Sequence, residues 1–112
     1  MQVSAEGLEQ LSLLGLFMKA ALEERLPALE RASPRDDVAI ESGGMVVTLS
    51  FSPDAAVVRD GIHGKPRARL IGGLDALAQV ARGSFVVPLL TRRIRISGDP
   101  LALLPLVRVF GS

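Results

Sequence analysis

From Ala5 to Leu26, apolar residues return at helical spacing: Leu8, Leu11, Leu14, Met18, Leu22 and Leu26 share one broad stripe, with Glu9, Glu23 and Arg25 away from its centre. That spacing predicts a long amphipathic helix whose stripe is buried against the rest of the domain. Pro27 ends or kinks it, because proline donates no amide proton and crowds the preceding turn. Pro34 with Arg35-Asp36-Asp37 marks a loop. The period then changes from helical to alternating. Val38 to Glu41 and Gly44 to Phe51 read as strands joined through Ser42-Gly43, with Val47, Leu49 and Phe51 on one side of the second, as in a hairpin. Ser52-Pro53-Asp54 is a turn, Ala55 to Arg59 a third strand, and Asp60-Gly61 a second turn leading into His63-Gly64-Lys65-Pro66.

Arg67 to Ile71 alternates again, and Leu74, Leu77, Ala78 and Ala81 then follow helical spacing from Gly72-Gly73 to about Arg82, with Gly83 a natural stop. The run Phe85-Val86-Val87-Pro88-Leu89-Leu90 is too short to classify by period. A basic alternating strand over Thr91 to Ser97 turns at Gly98 into a last helix, where Asp99 can cap free amides and Pro100 suits the first helical position. That helix, Leu101 to Phe110, carries only Arg108 as a charge, so it is expected to be buried or to cover an apolar ligand. Strands that are mostly antiparallel, with helices gathered on one face, make an α+β domain. No repeat, linker or low-complexity tract divides the chain, so residues 1–112 are expected to form one domain, with 1–33 a helical segment at its start.

Composition narrows the function classes. With 112 residues, 48% of them hydrophobic and 22% charged, the chain suits a single globular core. It has no cysteine, which removes disulfides, thiolate metal sites and a cysteine nucleophile together and fits a reducing compartment. The start Met1-Gln2-Val3-Ser4-Ala5-Glu6 lacks a basic region and a cleavage pattern, and the apolar run Leu11 to Leu22 is broken by Lys19 and too short to span a bilayer. A cytoplasmic, bacterial-type protein is the expectation. The net charge of +1 hides an asymmetry: residues 1–41 carry eight acids against four bases, and the remainder four acids against nine bases. Either an acidic helix packs near a basic sheet and both surfaces are solvated, or one face attracts anionic headgroups or phosphates.

Catalytic constellations are sparse. His63 is the only histidine and lies in a glycine-rich turn, so it reads as a surface residue with no second ligand for a metal. Asp36-Asp37 reads as a solvated pair. No serine sits in a Gly-x-Ser-x-Gly setting, and Gly43-Gly44 and Gly72-Gly73 lack the lysine and spacing of a phosphate loop. The pattern therefore predicts no enzyme, no cofactor and no metal. Arg67 and Arg69 share strand parity, as do Arg93 and Arg95, with Ala68, Leu70, Ile94 and Ile96 facing the other way. Together with Arg59 they form a basic sheet face, but without Trp or Tyr and with only four Phe it lacks stacking platforms for nucleic acid.

The segments Leu70-Ile71-Gly72-Gly73-Leu74-Asp75, then Gly83 and Pro88, then Ile94, Ile96, Gly98 and Asp99, fall in the order and spacing typical of one family. Across roughly Val38 to Phe110 the chain resembles the sterol carrier protein, or non-specific lipid-transfer, domain. The resemblance implies a five-stranded, mostly antiparallel curved sheet closed by helices around an apolar tunnel. It also implies non-catalytic binding or transfer of a fatty acid, acyl-CoA, sterol-like or isoprenoid lipid, by a monomer or homodimer that touches membranes transiently. Candidate lining residues are Leu49, Phe51, Leu77, Phe85, Leu89, Leu90, Leu101, Leu104 and Phe110, and candidate headgroup contacts are Arg92 and Arg93.

Two features depart from the family pattern. Thr91-Arg92-Arg93 stands where a small residue, often glycine, usually precedes the last basic strand; paired arginines there look like the lipid-binding accessory factors of bacterial ubiquinone biosynthesis. Pro105 is expected to kink the final helix. The ending Phe110-Gly111-Ser112 is not the peroxisomal tripeptide of some eukaryotic relatives. A small oligomerising module with a solid core and no ligand is the alternative from a different class, since an apolar terminal helix can also bury itself against a partner chain.

Overall fold

A computed structural model describes residues 2–5, 12–83, 88 and 91–111. In chain order the described elements are β1 (Gln2–Ala5), α1 (Leu13–Glu24), α2 (Leu26–Ala32), β2 (Val38–Ser42), β3 (Met45–Phe51), β4 (Ala55–Asp60), β5 (Ala68–Gly72), α3 (Leu74–Ala81) and β6 (Ile94–Gly98). A 3₁₀ turn (Pro100–Leu103) then leads into α4 (Leu104–Gly111). The six strands form one mixed sheet in the order β1-β4-β3-β2-β5-β6.

The α+β class and the helix-covered face are as the sequence pattern predicts; the sheet differs in detail. It has six described strands instead of five, and two of its pairings are parallel, β1 with β4 and β2 with β5. The extra strand comes from the first residues, where Gln2 to Ala5 pair with Ala55 to Val58 in place of the start of a long helix. An edge strand offers unpaired backbone groups, and a short β-capable segment such as Val3-Ser4 can satisfy them. The parallel pairing of β2 and β5 follows from where β4 ends. Asp60 lies opposite Val47, whereas β5 begins beside Val38 at the other end of the sheet, so the connecting loop has to cross it.

That crossing explains a second feature. Val47 and Leu49 face the helices, so Thr48 between them faces away. Its hydroxyl donates to the Gly61 carbonyl at 2.7 Å and accepts from the His63 amide at 3.1 Å, which lays the loop over the outer face. Ala39, the cross-strand partner of Thr48, is thereby sealed from solvent with it. Arg67 then donates its amide to the Asp37 carbonyl at 2.9 Å as the chain enters β5.

The predicted long helix is broken into α1 and α2 at Arg25, whose backbone leaves helical geometry (φ −110°, ψ 25°). The physical cause is Pro27: its ring would crowd the carbonyl four residues back in a continuous helix, so the break comes just before it and the proline sits in the first turn of α2. Leu14, Met18 and Leu22 still form the buried stripe of α1, and Leu26 packs against the same core; Leu8 and Leu11 lie outside the described residues. Ser12 caps α1 by accepting the Gly15 amide at 3.0 Å. Its own amide and hydroxyl donate to the Asp60 carboxylate at 2.8 and 2.7 Å, which pins the helix start to the end of β4.

Asp99 accepts the Leu101 amide at 3.0 Å and Pro100 opens the turn, as the residue types predict, although this first turn is 3₁₀ instead of α. The switch to α geometry at Leu104 also corrects the expectation for Pro105. It lies in the first turn of α4, where a missing amide proton leaves no helical bond unmade, so it does not interrupt a helix. Gly98 has φ +84°, and a Cβ there would meet the Arg67 carbonyl at 2.6 Å, so the turn out of β6 requires glycine.

Candidate functional site: an apolar cavity between sheet and helices

The inward faces of the strands supply Val38, Ile40, Val47, Leu49, Ala56, Val58, Ala68, Leu70 and Ile94 to a core that α1, α2, α3 and α4 cover. Among the described residues, the packing between sheet and helices leaves a gap. Between β2 and β5 on one side and α1, α3, the 3₁₀ turn and α4 on the other lies a cavity of about 30 Å³. Its described lining includes Ile40 and Leu70 from the sheet, Phe17 and Met18 from α1, Leu77 and Val80 from α3, and Leu103, Leu106 and Phe110 from the C-terminal segment. Every described lining side chain is hydrocarbon or thioether. A void of this size holds about one water molecule, and with no polar partner in its wall it favours apolar atoms over water.

The sequence-nominated residues separate into four groups. Leu77 and Phe110 line the cavity. Leu49 is buried in the same core but away from the cavity wall, and Phe51 is half-buried against that core. Leu101 and Leu104 are 72% and 43% exposed, so the last helical segment has a solvent face that its composition did not predict. Phe85, Leu89 and Leu90 lie outside the described residues. Ile40, Met18, Val80 and Leu106 were missed, although each sits at a periodic apolar position; burial is legible from the pattern, whereas the choice between core and lining depends on which elements meet.

Phe17 and Val107 are both half-buried, so the cavity approaches the surface between α1 and α4. Helical spacing puts Leu13 on the side of Phe17, and Leu104 on the side of Val107. The exposed leucines Leu13, Leu16, Leu101 and Leu104 therefore belong to the two segments that flank this approach.

Several arginines of the basic sheet face are engaged. Arg69 reaches Glu41 at 3.2 Å, Arg67 lies 3.6 Å from Asp99, and Arg59 donates to the Ser50 hydroxyl at 3.0 Å. Arg93 pairs with the Asp75 carboxylate and donates to the Gln79 side-chain oxygen at 3.2 Å, tying β6 to α3. The Ala76 amide, donating to Asp75 at the start of α3, holds that carboxyl below its ordinary value, and Arg93 adds to the effect. Arg92 is exposed and has φ +60°. The Arg93 amide donates to the Pro88 carbonyl at 2.9 Å across it, the geometry in which glycine normally occupies the left-handed position. His63 is an exposed turn residue, as expected, with Nε2 2.7 Å from the Asp60 carbonyl oxygen. Among the described residues no group of three or more His, Cys, Asp or Glu could hold a metal, and no helix is long and apolar enough to cross a membrane.

Comparison of the whole structure with solved ones defines the class of fold. Similar structures include a protein described as UbiJ-SCP2, a ubiquinone synthesis protein, at 15% identity and a TM-score of 0.71 over 87% of this chain and 92% of that one. A second is the sterol carrier protein domain 2 of Helicoverpa armigera, at 14% identity and a TM-score of 0.64 over 88% and 85% of the two chains. A third is palmitated SCP2L2 from Aedes aegypti, at 17% identity and a TM-score of 0.57 over 91% and 96%. The chain has the sterol carrier protein fold. No protein-family model and no curated protein matches the sequence itself.

Proposed function

We propose that this domain binds the hydrocarbon part of a lipid between its sheet and its helices, and carries no chemistry of its own. The observation that supports this reading is the cavity wall: among the described residues its lining is wholly apolar and is drawn from both sheet and helices. Each methylene taken from water into such a site contributes about 0.8 kcal/mol, so a long chain binds without a polar anchor. The cavity of about 30 Å³ has to widen to admit one, and the gain from burying the chain is what offsets the loss of packing. The fold it shares with a palmitated domain supports an acyl chain as ligand.

The similarity to a ubiquinone synthesis protein favours a second ligand class, an isoprenoid quinone precursor, bound by the same wall. On either reading Arg92 is the better-placed cation for an anionic headgroup, because Arg93 is engaged by α3. Exposed Leu13, Leu16, Leu101 and Leu104 would rest on a membrane during exchange. Native mass spectrometry of the purified protein, followed by organic extraction, tests the proposal. A lipid bound at near one-to-one ratio supports it and identifies the class as acyl or isoprenoid. A monomer that arrives empty and takes up neither palmitate nor a ubiquinone analogue refutes it, and an empty dimer would point to an interaction module instead.

A further inference from the structure

The cavity is far smaller than an acyl chain, so at least one wall has to move before a lipid enters, and the polar contacts differ from wall to wall. The start of α1 is pinned to β4, where Asp60 accepts both the amide and the hydroxyl of Ser12. The sheet wall is held by backbone ladders on both sides of β2 and β5. The C-terminal wall packs against α2, α3 and the 3₁₀ turn. The remaining wall, α3, enters from the Gly72-Gly73 pair and leaves at Gly83, whose φ of +97° is a conformation that glycine adopts without strain. Leu77, Val80 and Ala81 put its inner side on the cavity.

On its other side, Asp75 and Gln79 stand one helical turn apart, and a single side chain engages both. Arg93, immediately before β6, pairs with the Asp75 carboxylate and donates to Gln79. The C-terminal end of the helix is tied more weakly, by Arg25 donating to the Ala81 carbonyl at 3.4 Å. Resting on the reading of the cavity as a lipid site, we propose that α3 is its moving wall and that Arg93, by bridging Asp75 and Gln79, is the latch that holds the wall shut. Gly72 permits this closed state, since a Cβ there would meet the Ile94 side chain at 2.8 Å and the Arg93 carbonyl at 3.1 Å and push the helix entry away from β6.

A latch of this kind opposes the open wall that a bound chain requires. Both of its ends are solvent-accessible, so its loss should raise the population of the open wall by a modest factor, about two- to fivefold. The full-length protein with Arg93→Ala, Asp75→Asn, and both changes together is followed by hydrogen exchange of the α3 amides, and by stopped-flow uptake and release of cis-parinaric acid. Either single change should speed exchange across α3 about two- to fivefold. Arg93→Ala should add less in the presence of Asp75→Asn than it does alone, because only the Gln79 contact is then left to break. Because a bound chain keeps the wall displaced, uptake should quicken and the apparent affinity should rise by about the same two- to fivefold, with release little changed. Gln79→Ala, which removes only the second contact, provides the same comparison with a gentler change if Arg93→Ala folds poorly.

Wild-type exchange rates across α3 in Arg93→Ala and Gln79→Ala would overturn the latch, as would effects of Arg93→Ala and Asp75→Asn that simply add. Failure of the wild-type protein to take up any lipid would instead overturn the lipid reading, and the exchange measurement, which needs no ligand, tells the two failures apart.

Discussion

Leu77→Ala separates a cavity wall from an ordinary core position. Leu77 is 3% exposed, sits on the inner side of α3 and lines the cavity. Truncating a buried leucine to alanine removes transfer free energy and leaves a void that the surroundings only partly close, at a cost of about 2–5 kcal/mol. The new space here would merge with the existing void of about 30 Å³, so collapse of α3 onto the sheet is harder and the cost should be about 3 kcal/mol. Leu49→Ala is the matched control: Leu49 is fully buried under the helices but stands off the cavity wall, so the same truncation should cost a similar amount. The two differ in their response to ligand. Space opened at Leu77 lies where an acyl chain would go, so saturating palmitate should stabilise Leu77→Ala by more than it stabilises wild type, whereas Leu49→Ala should gain only what wild type gains. Urea unfolding with and without palmitate measures all three proteins. Equal palmitate responses in the two variants would refute the assignment of the cavity, and a loss below about 1 kcal/mol in Leu77→Ala would refute the burial on which it rests.

Three further outcomes follow from local geometry. Arg92→Gly should stabilise the fold by about 1 kcal/mol, because it relieves a left-handed non-glycine residue, and should weaken binding to anionic vesicles if Arg92 contacts headgroups; unchanged or lower stability in urea would count against the strain. Gly98→Ala should destabilise by more than about 1 kcal/mol, since both its φ of +84° and the 2.6 Å approach to the Arg67 carbonyl exclude a side chain, and a melting temperature equal to wild type would refute this. The Asp75 carboxyl is held below its ordinary value of 3.8, so its stabilising effect is fully present above that value and is lost as pH falls through the lowered one. Intrinsically corrected exchange of the α3 amides should therefore be flat from about pH 7 to about pH 5; a rise within that window would assign the opening to another group.

Much of the order of elements is legible in the chain because it rests on local rules. Alternation in Met45–Phe51 and Ala68–Gly72, the helical period in Leu74–Ala81, the stop at Gly83 and the Asp99-Pro100 start are dictated by side-chain direction, glycine's freedom and proline's missing amide, which act within a few residues. The parity of Arg69 and Arg95 against Leu70 and Ile96 is of the same kind. What the tertiary structure decided depends on partners far along the chain. Gln2–Ala5 became a strand because β4 offered an open edge, and no local period announces that. β2 and β5 run parallel because the loop after Asp60 crosses the sheet, and that crossing is what buries Thr48 and Ala39 on the face turned away from the helices. Leu77 and Phe110 line the cavity while Leu49 packs beside it and Leu101 and Leu104 face solvent, although all five are apolar residues in regular elements. An apolar residue declares its preference to leave water, but whether it meets another side chain, a void or the surface is settled only when helices and sheet come together.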